Sequence, residues 1–304
     1  MRVGGQAIME GVLMRSPNFW GMAVRTPNGE VDLRAERFRS VTKKSRLFQM
    51  PIIRGALSLG ETLWLGMKAL TLSTNIALGE EEDLSKKEIA ATLGFAAILG
   101  FGLFLVAPVL GTKGIGSLLG ESIENPVLFN LVEGVIRIAI FIAYLVGITL
   151  ISKDVKRFFA YHGAEHKAIK VYERGEKLVP ENARKLDTSH VRCGTSFVLY
   201  VLVLSILVFS LLGVEGWIYM VASRLLVIPL VAGIAFEFIM WSARHQDSAV
   251  VRALVWPGLQ LQRLTTREPT DDMVEVAMAS LKKVLAMERE SDLKADEATN
   301  KLVI

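Results

Sequence analysis

Residues 157–176 read RFFAYHGAEHKAIKVYERGE, and within them His162, Glu165 and His166 form an H-x-x-E-H pattern. Residues four apart on a helix are neighbours, so imidazoles at 162 and 166 can aim nitrogens at one ion. A carboxylate beside them can then serve as general base toward a water that the ion polarises. The pattern is the inverted form of the zinc-protease helix motif. Val155, Phe158, Phe159, His162, His166 and Ile169 recur at helical spacing on a single face. Lys156, Lys167, Lys170 and Arg174 fall largely on the other side, so both histidines belong to the apolar stripe. Glu165 stands at the stripe's edge, and Gly163 thins the helix beside the pair. The rival reading is a polar helix whose imidazoles hydrogen-bond headgroups or backbone.

A catalytic zinc site needs three protein ligands and an open position. Two residues compete for the third place: Glu237, which lies 71 residues beyond His166, and His190. Glu237 falls in an apolar run, where a carboxylate is costly without a partner, so structural pairing competes with ligation there. Cys193 is read first as an inert small thiol and His245 as an interfacial polar residue, though both fall in the same layer of the chain. Zinc is the first expectation for the metal; two imidazoles and a carboxylate also suit manganese or iron.

The elements that must position these groups are mostly apolar. About half of the 304 residues are hydrophobic, and four runs are long enough to cross a bilayer, which takes roughly 20 residues. They lie near 89–111, 128–152, 196–214 and 217–241. The first residues have no apolar core of signal-peptide length. Thirteen Lys/Arg precede residue 89, ten lie in 153–195 and nine follow 241, whereas the 112–127 connection carries only Lys113 against Glu121 and Glu124. Positive charge marks the cytoplasmic side, which puts both termini and the 153–195 loop inside. The fold class expected is an α-helical polytopic membrane protein with about four transmembrane helices and a cytoplasmic cap containing a small β-hairpin. The partner implied by its charge is the anionic lipid surface, not nucleic acid. A single cysteine excludes an internal disulfide framework.

Five segments follow: 1–88, 89–152, 153–195, 196–241 and 242–304. In the first, residues 22–36 alternate around Pro27-Asn28-Gly29 as a hairpin, 51–79 read as an amphipathic helix, and 79–88 as a solvated link. In the last, 270–290 form an amphipathic helix capped at Thr270, followed by a disordered tail. Glu133 and Arg137, four apart in the second run, and Arg224 in the fourth would staple the bundle. The function expected is a metal-dependent hydrolase acting on a membrane-proximal substrate. The alternative is a non-enzymatic scaffold or assembly factor that presents the hairpin and the 270–290 helix. A transporter is disfavoured by the lack of an internal repeat.

Four stretches in order, GGQAIMEGVLMRSP at 4–17, YHGAEHKAIKVYE at 161–173, RCGTSF at 192–197 and PGLQLQRLTTREPTDDMVEVAM at 257–278, resemble the YqhQ-like family. These are bacterial membrane proteins of unknown function, described as predicted metal-dependent enzymes. One departure is Val191, where the family usually has proline. The resemblance implies an inner-membrane location and a metal, names no reaction, and directs attention to Gln6, Glu10 and Arg15 as a further candidate polar site. The plain reading of that segment is that it packs the N-terminus under the bundle.

Overall fold

The computed structural model describes residues 3–79, 86–118, 123, 125–212 and 216–301. It opens with four strands, β1 (Gly4–Ile8), β2 (Gly11–Arg15), β3 (Phe19–Arg25) and β4 (Val31–Arg37), which form one antiparallel sheet in chain order. Helices follow as α1 (Ile53–Leu78), α2 (Lys86–Phe101), α3 (Ala107–Leu118), α4 (Pro126–Ile151), α5 (Lys153–Glu173), α6 (Pro180–Arg184), α7 (Gly194–Leu212), α8 (Gly216–Ser242), α9 (Ala249–Thr265) and α10 (Asp271–Lys301).

Side chains alternate across a strand, and here both faces of the sheet are covered. Val12, Met14, Phe19 and Ala23 join Ala164, Ala168, Ala277 and Leu281 of α5 and α10 in one core. Leu13, Trp20, Met22 and Val24 face the other way, onto Leu65 and Ala69 of α1. The sheet is thus the middle layer of a cap, and burial on both sides explains why β2 and β3 read as apolar throughout. The edge strand β4 carries Asp32, Arg34, Glu36 and Arg37, charges that discourage a further strand from adding.

The expected 22–36 hairpin is β3–β4, with Met22 opposite Arg34. The preceding β1–β2 hairpin was not expected, and its turn shows why. Glu10 has φ +50°, a conformation that short loops usually assign to Asn, Asp or Gly. Its carboxylate is held by Arg157 of α5 and accepts from the Tyr161 hydroxyl at 3.2 Å, contacts far along the chain that offset the local strain.

Three stretches, Ala90–Leu118, Pro126–Ile151 and Gly194–Leu211, are long and apolar enough to cross a membrane. The first joins α2 and α3 through a π turn at Gly102–Val106, so it runs past the expected end at 111. The fourth expected crossing falls on α8, of which Leu226–Ser242 is a shorter apolar helix among the described residues. Glu133 and Arg137 pair within α4, and Arg137 Nε donates to the Phe104 carbonyl at 2.9 Å. Phe104 lies in the π turn, whose wider register frees carbonyls for outside donors, so the pair ties α4 to the first rod. The Arg224 side chain, Glu121, Glu124 and the 80–85 part of the acidic link lie outside the described residues.

The amphipathic helix expected over 51–79 is α1 (Ile53–Leu78), with Leu63, Trp64 and Met67 exposed. The last dozen residues, expected as a disordered tail, are instead helical through Lys301, with 302–304 outside the described residues, because SDLKADEATNK contains no Gly or Pro to stop the helix.

Candidate metal centre

Helix α5 begins two residues after α4 ends, with Ser152 accepting from the Val155 N–H as its cap. It buries Tyr161, Gly163, Ala164, Glu165, His166 and Ala168 against β1 and α10, which carries the histidine pair into the cap. Gly163 has a defined reason: a Cβ there would lie 2.1 Å from the Arg267 carbonyl oxygen. The segment after α9 therefore presses onto α5, and the Arg267 N–H donates to the Phe159 carbonyl at 2.9 Å. Lys167, expected on the wet face, is buried by the same segment and pairs with Glu268.

That close approach orients the imidazoles. His162 Nδ1 lies 2.7 Å from the Thr265 carbonyl, and His166 Nδ1 lies 2.6 Å from the Thr188 carbonyl. A carbonyl only accepts, so each Nδ1 carries the proton and each Nε2 presents a lone pair. This is the arrangement by which proteins orient ligating histidines. The rings stand 4.4 Å apart between centroids, and His162 Nε2 lies 3.4 Å from Cys193 Sγ. His162, His166 and Cys193 offer one ligand atom each within 4.8 Å of one another. Ligands of a tetrahedral zinc sit about 3.5 Å apart, so the donor set fits the ion after a small contraction.

Burial decides the charge states. Glu165, buried and lacking a partner for Oε2, has its carboxyl pushed up to about 8, chiefly by desolvation. Desolvation also lowers His166, which keeps that imidazole neutral and able to ligate. Burial alone would raise the Cys193 thiol, but the proximity of His166 and the hydrogen bonds from Thr195 together outweigh it, and the thiol is lowered. A depressed thiol pKa is what a metal ligand requires.

Both residues expected to compete for the third ligand position have other partners in this structure. Glu237 is engaged by Arg54 of α1, with Nη2 at 2.6 and 2.7 Å from its two oxygens, a pair that ties α1 to α8. His190 uses both ring nitrogens elsewhere: Nδ1 accepts from the Arg192 N–H at 3.2 Å, which leaves Nε2 to donate to Glu173 at 3.1 Å. Cys193, read first as inert, is the residue that lies beside the two histidines. His245 binds the Trp241 carbonyl at 2.9 Å and remains exposed away from the cluster.

The N-terminal candidates do not converge on the histidines either. Arg15 pairs with Glu61 at 2.8 Å, Glu10 with Arg157, and the Gln6 side chain lies against Gly66. The residue of that segment that meets the site is Gly5, where a Cβ would come 2.9 Å from Glu165 Cγ. Gln262 was also missed. It is fully buried, accepts from the His190 N–H at 2.8 Å, and donates to the His190 carbonyl at 2.9 Å and to Ser196 Oγ at 2.7 Å. It thereby sets the turn that delivers Cys193. Its signal was its place in the 257–278 stretch, not its residue type.

Apolar helices, a three-layer cap and a His/His/Cys cluster define the class: a membrane-associated helical protein with a candidate metal centre. Residues 50–287 match the model of the family described as protein of unknown function (DUF1385), and the chain belongs to that family. It is also 30% identical over 301 residues to the uncharacterized protein YqhQ of Bacillus subtilis (strain 168), covering 95% of this chain and 94% of that protein. No solved structure matches. The expected family membership holds, and neither name carries an activity or a metal.

Proposed function

We propose that this chain is a metal-dependent hydrolase of the bacterial inner membrane, acting at the cytoplasmic face on a membrane-proximal substrate. In this reading both termini and the α5 region are cytoplasmic, as the basic segments require, and α8 makes a fourth crossing. One observation carries it: two Nε2 lone pairs and the Cys193 sulfur converge beside Glu165, whose buried Oε2 has no partner. Three ligands leave one coordination position open, the arrangement of catalytic and not of closed structural sites. A thiolate among the donors shifts the preference toward zinc and away from manganese.

A divalent ion held there would supply Lewis acidity. His162, His166 and Cys193 would hold it, with the Thr265 and Thr188 carbonyls fixing both rings. Glu165, raised to about 8, is suited to take a proton from water at Oε2 and return it to a leaving group near neutral pH. The second reading, a structural site in a scaffold, is favoured by the burial of Glu165, His166 and Cys193.

Metal content by elemental mass spectrometry on detergent-purified protein is the test. Wild type and Glu165→Gln are expected to retain about one equivalent, and His162→Ala/His166→Ala to retain none. No metal in wild type after loading with zinc, manganese and iron would overturn the reading. Chelated wild type that stays folded supports catalysis, whereas a cap that unfolds on chelation supports the structural site.

A further inference from the structure

A cleft of about 390 Å³ opens where the end of α5, the 189–192 turn, the end of α8 and α9 meet. Four cations line it, Lys170, Arg174, Arg192 and Arg244, against the single carboxylate of Glu173. That carboxylate is engaged twice within the wall, by Arg192 on one oxygen and by His190 on the other. Lys170 is held by Asp187 at 2.9 Å. Two guanidiniums remain, one just past the end of α5 and one just past the end of α8. Arg174 has only Glu176 at 4.0 Å, and the Arg244 side chain makes no hydrogen bond or ion pair among the described residues.

Guanidinium groups present forked N–H donors that match phosphate oxygens, and two of them on one cleft specify an anion with several oxygens. One part of the remaining wall is apolar, with Met240 of α8 and Leu259 of α9, beside the polar Ser189 and Gln246. It adjoins Trp241, exposed at the end of α8 and tilted over His245, the position of an interfacial aromatic. A cationic cleft with an apolar wall at the end of a membrane helix suits a phosphate joined to an acyl chain. The inner wall carries His190, whose ring centroid lies 5.6 Å from that of His166.

We infer that this cleft binds a phosphate group, presented by an anionic lipid of the membrane, and that such a lipid is the substrate class of the adjoining centre. The second half rests on the proposed function; the binding itself stands on the cleft alone.

Native mass spectrometry of the full-length protein, with dioleoyl phosphatidic acid, dioleoyl phosphatidylcholine or inorganic phosphate as probe, tests it. Wild type is expected to keep phosphatidic acid adducts at least about tenfold better than Arg174→Ala/Arg244→Ala, the loss expected for one or two charge-assisted hydrogen bonds. Arg244→Lys should recover part of the binding, which guards against a misfolded double variant. Inorganic phosphate competing in wild type and not in the variant would support the phosphate site and name the free anion as its source. Equal adducts in wild type and variants, or phosphatidylcholine binding as well as phosphatidic acid, would overturn it. Metal content measured on the same samples separates the two claims, because adducts without metal sink only the assignment as substrate.

Discussion

Gly5 of the first strand and Glu165 of α5 are in contact: a methyl group at position 5 would sit 2.9 Å from Glu165 Cγ, 2.7 Å from the Leu13 carbonyl oxygen and 2.8 Å from Met14 Sδ. The N-terminal hairpin therefore forms one wall around the buried carboxyl. Gly5→Ala overpacks this wall and should cost about 1–3 kcal/mol. Its apparent Tm should fall, and metal affinity should weaken with it if the wall positions α5. An alanine variant with wild-type Tm and metal content would show that the hairpin and the site are independent. Gly4→Ala, where a Cβ meets nothing within 4 Å, is the matched control.

The Glu165 carboxyl rises from its ordinary 4.5 to about 8 because burial penalises the charged form. Its folded pKa lies above its unfolded one, so its contribution to stability is fully present below about pH 4.5 and is lost as pH rises through about 8. Metal-free wild type should thus lose apparent Tm steadily across that window. Glu165→Gln, which cannot ionise, should decline less and overtake wild type at the alkaline end. Thermal unfolding of chelated protein in detergent at several pH values checks this, and parallel curves would refute it.

Gln262 closes three hydrogen bonds around the turn that carries Cys193, two of them to the His190 backbone. Gln262→Leu leaves the His190 N–H buried and unsatisfied, at a cost of about 1–3 kcal/mol, while the His190 carbonyl keeps the Cys193 N–H at 3.2 Å. The turn also positions the third ligand. Zinc affinity, measured by competition with a chelating dye, should fall about 10–100-fold, the usual effect of removing an outer support of a metal site. Unchanged affinity would mean that the turn is held without Gln262.

Local periodicity was enough to place His162, half-buried, and His166, buried, on one face, because a helix fixes neighbours four apart regardless of what surrounds it. The same holds for the β3–β4 hairpin, whose Asn28-Gly29 turn is coded locally. What sequence could not show depends on distant partners. Lys167 reads as a wet-face cation until the segment bearing Glu268 folds over it. Glu10 hides the β1–β2 turn because its strained backbone is compensated by Arg157, 147 residues away. Cys193 reads as inert because its approach to His162 depends on Gln262 and Thr265 in α9.

Glu237 illustrates the point in a form that can be measured. By composition it was the natural carboxylate to complete a two-histidine site, yet Arg54, 183 residues earlier, holds both its oxygens. The pair is partly accessible, with side chains 40% and 26% exposed, and it ties α1 to α8 without reaching the histidine cluster. Glu237→Gln should therefore lower apparent Tm slightly and leave metal content at the wild-type level. Cys193→Ser should do the reverse: the side chain keeps nearly the same size in a buried position, but a hydroxyl replaces the thiolate donor. Metal stoichiometry of the two variants, prepared side by side, assigns the third ligand. Metal lost from Glu237→Gln and kept by Cys193→Ser would mean that the ion-bound protein abandons the Arg54 pair and brings α8 to the histidines.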